Sequence, residues 1–319
     1  MAVKLRSFLV GLEVFTLLFA LGIVVGIIFP MQTAVNSNLR SRIGSPYLAA
    51  MVAFIVSSIF LGLLTELQGS NVLINSALFS TQPKWIWLGG VFGIIGGTIP
   101  IVLFPHLGSV QTVVIPIFGQ IVMGMLIDNF GWFASPVFRF SGLRLIGVLL
   151  LLVGLLFVIT TKSTARQRGQ HRFGWQLLGL LAGFALASQA AVNGRLGTVL
   201  RSPVHAALIS FLTGMVILVL GVSIFERDLN HLKLALGRGN PWWVWFGGLL
   251  GGLYVFGNSF LAPLIGTGAT VVITLFGNIA GGLVIDQFGL LGAAKRRISL
   301  RQYVGLVLMI AGVVLVKVF

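Results

Sequence analysis

Cysteine is absent from this chain of 319 residues, which excludes disulfides, thiolate nucleophiles and cysteine-ligated metals. Charge is scarce as well. Only 8% of residues are charged, against roughly 25% in a soluble domain, too few to cover a water-facing surface. The acids number six, Glu13, Glu66, Asp128, Glu226, Asp228 and Asp286, and none falls clearly in the middle of an apolar run. The four histidines are dispersed, and neither a P-loop, an H-E-x-x-H nor a G-x-S-x-G occurs. These absences point away from an enzyme, and no metal or cofactor is expected. The few charges are mostly basic, giving a net +15. They fall in short clusters between apolar runs, Lys162 to Arg172 and Lys295 to Arg301, without aromatic interleaving. That pattern is the Lys/Arg bias of membrane loops, not a nucleic-acid surface.

What is abundant is apolar. Hydrophobic residues make up 57% of the chain and the mean hydropathy is +1.05. A membrane-crossing helix takes roughly 20 apolar residues, and ten such runs can be marked, at 14–36, 46–66, 85–104, 108–127, 142–161, 174–195, 203–225, 243–263, 267–285 and 302–318. The run Ser7 to Pro30 is too long for a signal-peptide core and reads as a retained first span. In the connection 226–241, Leu229, Leu232, Leu234 and Leu236 alternate with polar residues, the pattern of either a short interfacial helix or a charged loop.

The second half repeats the first. At an offset of 157, Gly22, Gly26, Gln32, Asn36, Ser45, Pro46, Ala49 and Ala50 land on Gly179, Gly183, Gln189, Asn193, Ser202, Pro203, Ala206 and Ala207. One residue more aligns Trp85, Trp87, Pro105, Thr112, Phe118, Gly119, Asp128 and Gly131 with Trp243, Trp245, Pro263, Thr270, Phe276, Gly277, Asp286 and Gly289. Shared Leu and Val would follow from apolar composition alone; shared Gln, Asn, Trp, Pro and Asp would not. The expected fold is therefore all-α and integral to the membrane, with ten transmembrane helices arranged as two five-helix repeats, 1–162 and 172–319, joined by a basic linker at 163–171. An odd number of spans forces the second copy in upside down, the architecture of many secondary transporters, with substrate held between the copies.

The doubled pattern P-M-Q-x-x-x-N-x-x-L followed by S-P and A-A, from Pro30 to Ala50 and echoed from Ser188 to Ala207, resembles the YdcZ-like branch of the drug/metabolite transporter superfamily. The resemblance covers nearly the whole chain. It implies a ten-helix bundle and transport of a small molecule, in a multi-pass inner-membrane protein that is a monomer or homodimer and takes membrane lipid as its surroundings. The sequence departs from its own repeat at Ser188 and Asn258, which stand where Met31 and Pro100 stand in the first copy.

Gln32 and Asn36 lie four residues apart and share a helix face, as do Gln189 and Asn193. Their amides supply donors and acceptors without charge, for substrate contact or for bonds between helices. Gln111, Gln120 and Asn278 add polar groups to the fourth and ninth spans, and Asn258 is a one-sided polar group in the eighth. Asp128 and Asp286 end matching spans, as caps or gate residues. Pro116 faces Thr274 across the repeat, so a kink there is one-sided. Glu13 is the acid nearest the first span, where small multidrug exporters of the superfamily carry a coupling carboxylate. The scarcity of deep acid favours a neutral or zwitterionic metabolite over a cation, carried out of the cell or exchanged. A flippase for a lipid-linked carrier is the alternative, and a non-transporting scaffold or receptor is the alternative of another class. The densest basic clusters place both termini outside, whereas the resemblance implies both inside.

Overall fold

The computed structural model describes residues 2–69, 76–159, 172–225, 241–292, 295 and 298–318, all helix, turn or coil. The linker 163–171, and all but the last residue of 226–241, lie outside the described residues. The helices are α1 (Ala2–Ile43), α2 (Pro46–Leu67), α3 (Ser76–Thr81), α4 (Gly89–Phe130), α5 (Gly142–Ile159), α6 (Arg172–Leu200), α7 (Pro203–Phe225), α8 (Gly247–Ile265), α9 (Thr267–Phe288) and α10 (Leu300–Val318).

The local signals repeat with the sequence. Ser45 caps α2, its hydroxyl accepting the Leu48 N–H at 3.2 Å, with Pro46 in the first turn. Ser202 accepts the His205 N–H at 3.2 Å ahead of Pro203 and α7. The doubled Ser-Pro is thus a doubled helix start. Left-handed backbone recurs too. Gly131 and Gly289 both have φ 65°, Phe133 and Leu291 have 56° and 53°, and Arg201 (54°) stands where the first copy has Gly44 (81°).

Six described segments are long and apolar enough to cross a membrane. They lie in α1, α2, α6, α7, α9 and in α8 with the turn before it. Gly89–Ile99, Ile115–Phe130, Gly142–Phe157 and Leu300–Val316 are apolar but shorter. The ten spans expected from sequence are therefore not all separate membrane-length helices. The third and fourth run on as the single helix α4, where the second copy breaks at Gly266 (φ 89°) between α8 and α9. The stretch through Gly108 keeps helical hydrogen bonding instead. Yet α4 is not straight. Ile115 and Leu103 both lie against Gly179, 3.1 and 3.2 Å from where its Cβ would be, although twelve residues of straight helix span about 18 Å. The helix therefore bends between them, on the side where the second copy, broken at Gly266, brings Leu261 and Ile273 together on Gly22.

The most extensive packing is between the repeats: α4 on α6, α5 on α10, α1 on α9 and α2 on α7. It exchanges under the repeat. Gly26 abuts the Thr274 carbonyl and Gly277, while Gly183 abuts the Pro116 carbonyl and Gly119. A methyl on Gly147 would sit 2.8 Å from the Gly312 carbonyl oxygen, and one on Gly154 would sit 2.6 Å from that of Gly305. Helices in lipid gain little from apolar burial against each other, so such close backbone approach is what joins them. The main apolar core runs through Ile121, Leu151, Leu155, Leu261, Val272 and Met309.

Candidate functional site

The two amide pairs meet the glycines of the opposite repeat. Asn193 packs its Oδ1 on Gly89, and the Nε2 of Gln189 lies 2.5 Å from a Cβ built on Gly93. Asn36 packs its Oδ1 on Gly247, and the Nε2 of Gln32 lies 2.6 Å from a Cβ built on Gly251. A pair spaced i, i+4 thus fits a pair of glycines spaced i, i+4 on the antiparallel helix, twice. The sequence shows both patterns but not that they interlock. Buried oxygens at Gln32 Oε1, Asn36 Oδ1 and Asn193 Oδ1 have no hydrogen-bond partner, nor does Asn193 Nδ2.

A cavity opens beside the second pair. Its lining includes Gln120 of α4, Gln189 and Asn193 of α6, Tyr254 and Asn258 of α8 and Thr274 of α9. Four of the expected site residues, Gln120, Gln189, Asn193 and Asn258, meet there. Tyr254 and Thr274 were not expected. Tyr254 stands where the first copy has Gly96, and that mismatch is the signal that marks it. None of the described lining residues is charged. The volume is about 20 Å³, room for a water-sized group and far below the roughly 300–1,000 Å³ of a metabolite site. A larger cavity of about 180 Å³ lies on the other side of α6, lined by Ser135, Arg195, Thr198 and Pro263 among others. At the matching place in the other repeat Asn38, the counterpart of Arg195, donates to the Leu291 carbonyl at 2.8 Å. An amide thus bridges this place in one repeat, whereas a cavity lies beside the guanidinium-bearing Arg195 in the other.

Asp128 lies apart from the central cavity. It is 2% exposed and accepts the Thr267 N–H at 2.7 Å and the Gly268 N–H at 2.9 Å. It therefore caps α9 of the other repeat, where the carboxylate also meets the positive end of the helix dipole. The Phe138 N–H donates to the Asp128 carbonyl at 2.8 Å, and Arg144 donates to the Phe138 carbonyl at 3.1 Å. Asp286 is half-buried near the end of α9, Asn278 lies by Gly26 of α1, Pro116 is buried against Gly183, and Glu13 is exposed. The side chain of Gln111 lies outside the described residues.

A family model described as "Putative inner membrane exporter, YdcZ" matches residues 17–157 and again residues 174–315. The chain belongs to this family. It is thus a multi-pass inner-membrane protein of an exporter family and not of an enzyme family. The two matches fall on the two halves of the internal repeat of this YdcZ-family chain. A solved crystal structure whose description names no activity superposes with a TM-score of 0.66 at 14% identity, over 94% of this chain and 95% of that one; it shows the shared fold alone. No curated protein matches the chain.

Proposed function

We propose that this exporter-family protein works by alternating access, carrying a small polar, neutral or zwitterionic metabolite outward or in exchange across ten crossings arranged as two inverted five-helix repeats, 1–162 and 172–319. The observation that carries the reading is the exchanged interlock. Gln32/Asn36 on Gly251/Gly247 and Gln189/Asn193 on Gly93/Gly89 are two near-equal seams, so opening one and closing the other costs little net energy. The central cavity is too small for a metabolite with both seams shut, so a substrate enters only as one parts. Its uncharged lining favours a neutral or internally neutralised ligand, because a lone buried charge without a partner is costly. That same lining weighs against a phosphate-bearing lipid carrier. A scaffold has no need of two seams that can trade places.

The test uses the natural lack of cysteine. Gln32→Cys and Gln189→Cys are labelled in membrane vesicles of both orientations with a membrane-impermeant maleimide. We expect the two sites to react from opposite sides, with conditions that raise one reducing the other. Labelling of both from the same side, or no dependence of one on the other, rules the reading out.

A further inference from the structure

Building on the reading of this cavity as the transport site, we propose that recognition is one-sided: Tyr254, Asn258 and Thr274 of the second repeat, facing Gln189 and Asn193, select an uncharged group that carries a donor beside an acceptor, such as a primary carboxamide or a lactam.

Three observations converge. First, Tyr254, Asn258 and Thr274 all line the cavity, and Asn258 donates to the Tyr254 backbone carbonyl at 2.8 Å while Thr274 donates to that of Thr270 at 2.8 Å. Their counterparts in the first repeat are Gly96, Pro100 and Pro116, none of which has a polar side chain. Duplication gave both halves the Gln/Asn pair, and only the second half adds a polar wall opposite it. Second, Asn193 is 1% exposed, lines this cavity and is the one described side chain whose amide nitrogen and oxygen are both buried without a partner. Buried polar groups are ordinarily paired, so this amide, whose Oδ1 rests on Gly89 while the seam is shut, is matched as the seam parts by a ligand that accepts from Nδ2 and donates to Oδ1. A carboxylate offers acceptors only and an ammonium donors only; each leaves one end of Asn193 unpaired. A cis-amide edge satisfies both. Third, no charged side chain is among the described lining residues, so neither ion finds a countercharge. The Phe29 ring lies 4.8 Å from that of Tyr254, which provides an aromatic flank for a flat ligand.

The test is equilibrium binding to the full chain in detergent, with benzamide as the probe and benzoate and N,N-dimethylbenzamide as its charged and donor-less analogues. We expect saturable benzamide binding and affinities weaker by on the order of 10-fold or more for the two analogues. Tyr254→Phe, Thr274→Val and Asn258→Ala should each weaken benzamide by on the order of 10-fold, while Pro100→Ala and Pro116→Ala leave it unchanged. Tyr254→Phe and Thr274→Val nearly conserve shape, so they decide the matter if Asn258→Ala fails to fold. Absent benzamide binding, equal binding of all three compounds, or equal losses from the proline variants overturns the proposal. Counterflow in proteoliposomes separates it from the transport reading. Benzamide that binds but shows no counterflow counts against transport and leaves recognition standing. Benzoate counterflow without benzamide binding does the reverse.

Discussion

Asp128 ties the end of α4 to the start of α9, and its removal should loosen that junction more than any surface change. The carboxylate is buried and accepts two backbone N–H groups at 2.7 and 2.9 Å. Hydrogen bonds to a charged group are each worth about 1.5–3 kcal/mol. In Asp128→Asn one acceptor survives, but the amide NH2 now confronts a backbone N–H, so a loss of about 2–3 kcal/mol is expected. That corresponds to roughly 30–150-fold in the equilibrium between the clasped and released junction. Two readouts apply. The apparent melting temperature in detergent should fall by several degrees. A Ser135→Cys reporter, placed where the Ser135 hydroxyl lies 3.4 Å from that of Thr267, should react faster with maleimide in the Asp128→Asn background. Unchanged melting together with an unchanged labelling rate would show that Asp128 holds nothing of consequence, and the capping argument would fail.

Gly93→Val and Gly251→Val each drive a branched side chain onto the amide of Gln189 or Gln32, and should lower stability by about 1–3 kcal/mol, read as a lower melting temperature. Gly147→Leu breaks the α5–α10 approach at Gly312 at a similar cost, yet should leave benzamide affinity unchanged in binding titrations, because that contact lies away from the cavity lining. Arg201 holds φ 54° where the first repeat uses Gly44. Arg201→Gly should therefore raise stability by about 0.5–1 kcal/mol in thermal denaturation, and a drop would mean that the arginine side chain contributes more than its backbone costs.

The repeat, the all-helical membrane class and the Gln/Asn pairs were legible because polar and small residues recur at a fixed offset through an apolar background. Where the spans end was less legible. Gly108 and Gly266 align in sequence, yet the helix breaks only at Gly266, since a glycine permits left-handed backbone without requiring it. Tyr254 is not legible from the repeat, because its value lies in a difference between the copies: Gly96 stands at its place in the first. Asp128 was expected as a cap or gate, but a sequence cannot say which helix is capped. The capped helix turns out to belong to the other repeat, 139 residues away along the chain.

The packing between repeats bears on how the molecule is made. The partners of α1, α2, α4 and α5 are α9, α7, α6 and α10, all of which are synthesised later. At about 5–20 residues per second, the first repeat waits in the bilayer for roughly 10–30 seconds with its glycine faces against lipid or an insertion chaperone. Slow translation or early truncation after the first repeat should thus expose the nascent half to membrane quality-control proteases. The second repeat supplied on a separate chain should rescue it.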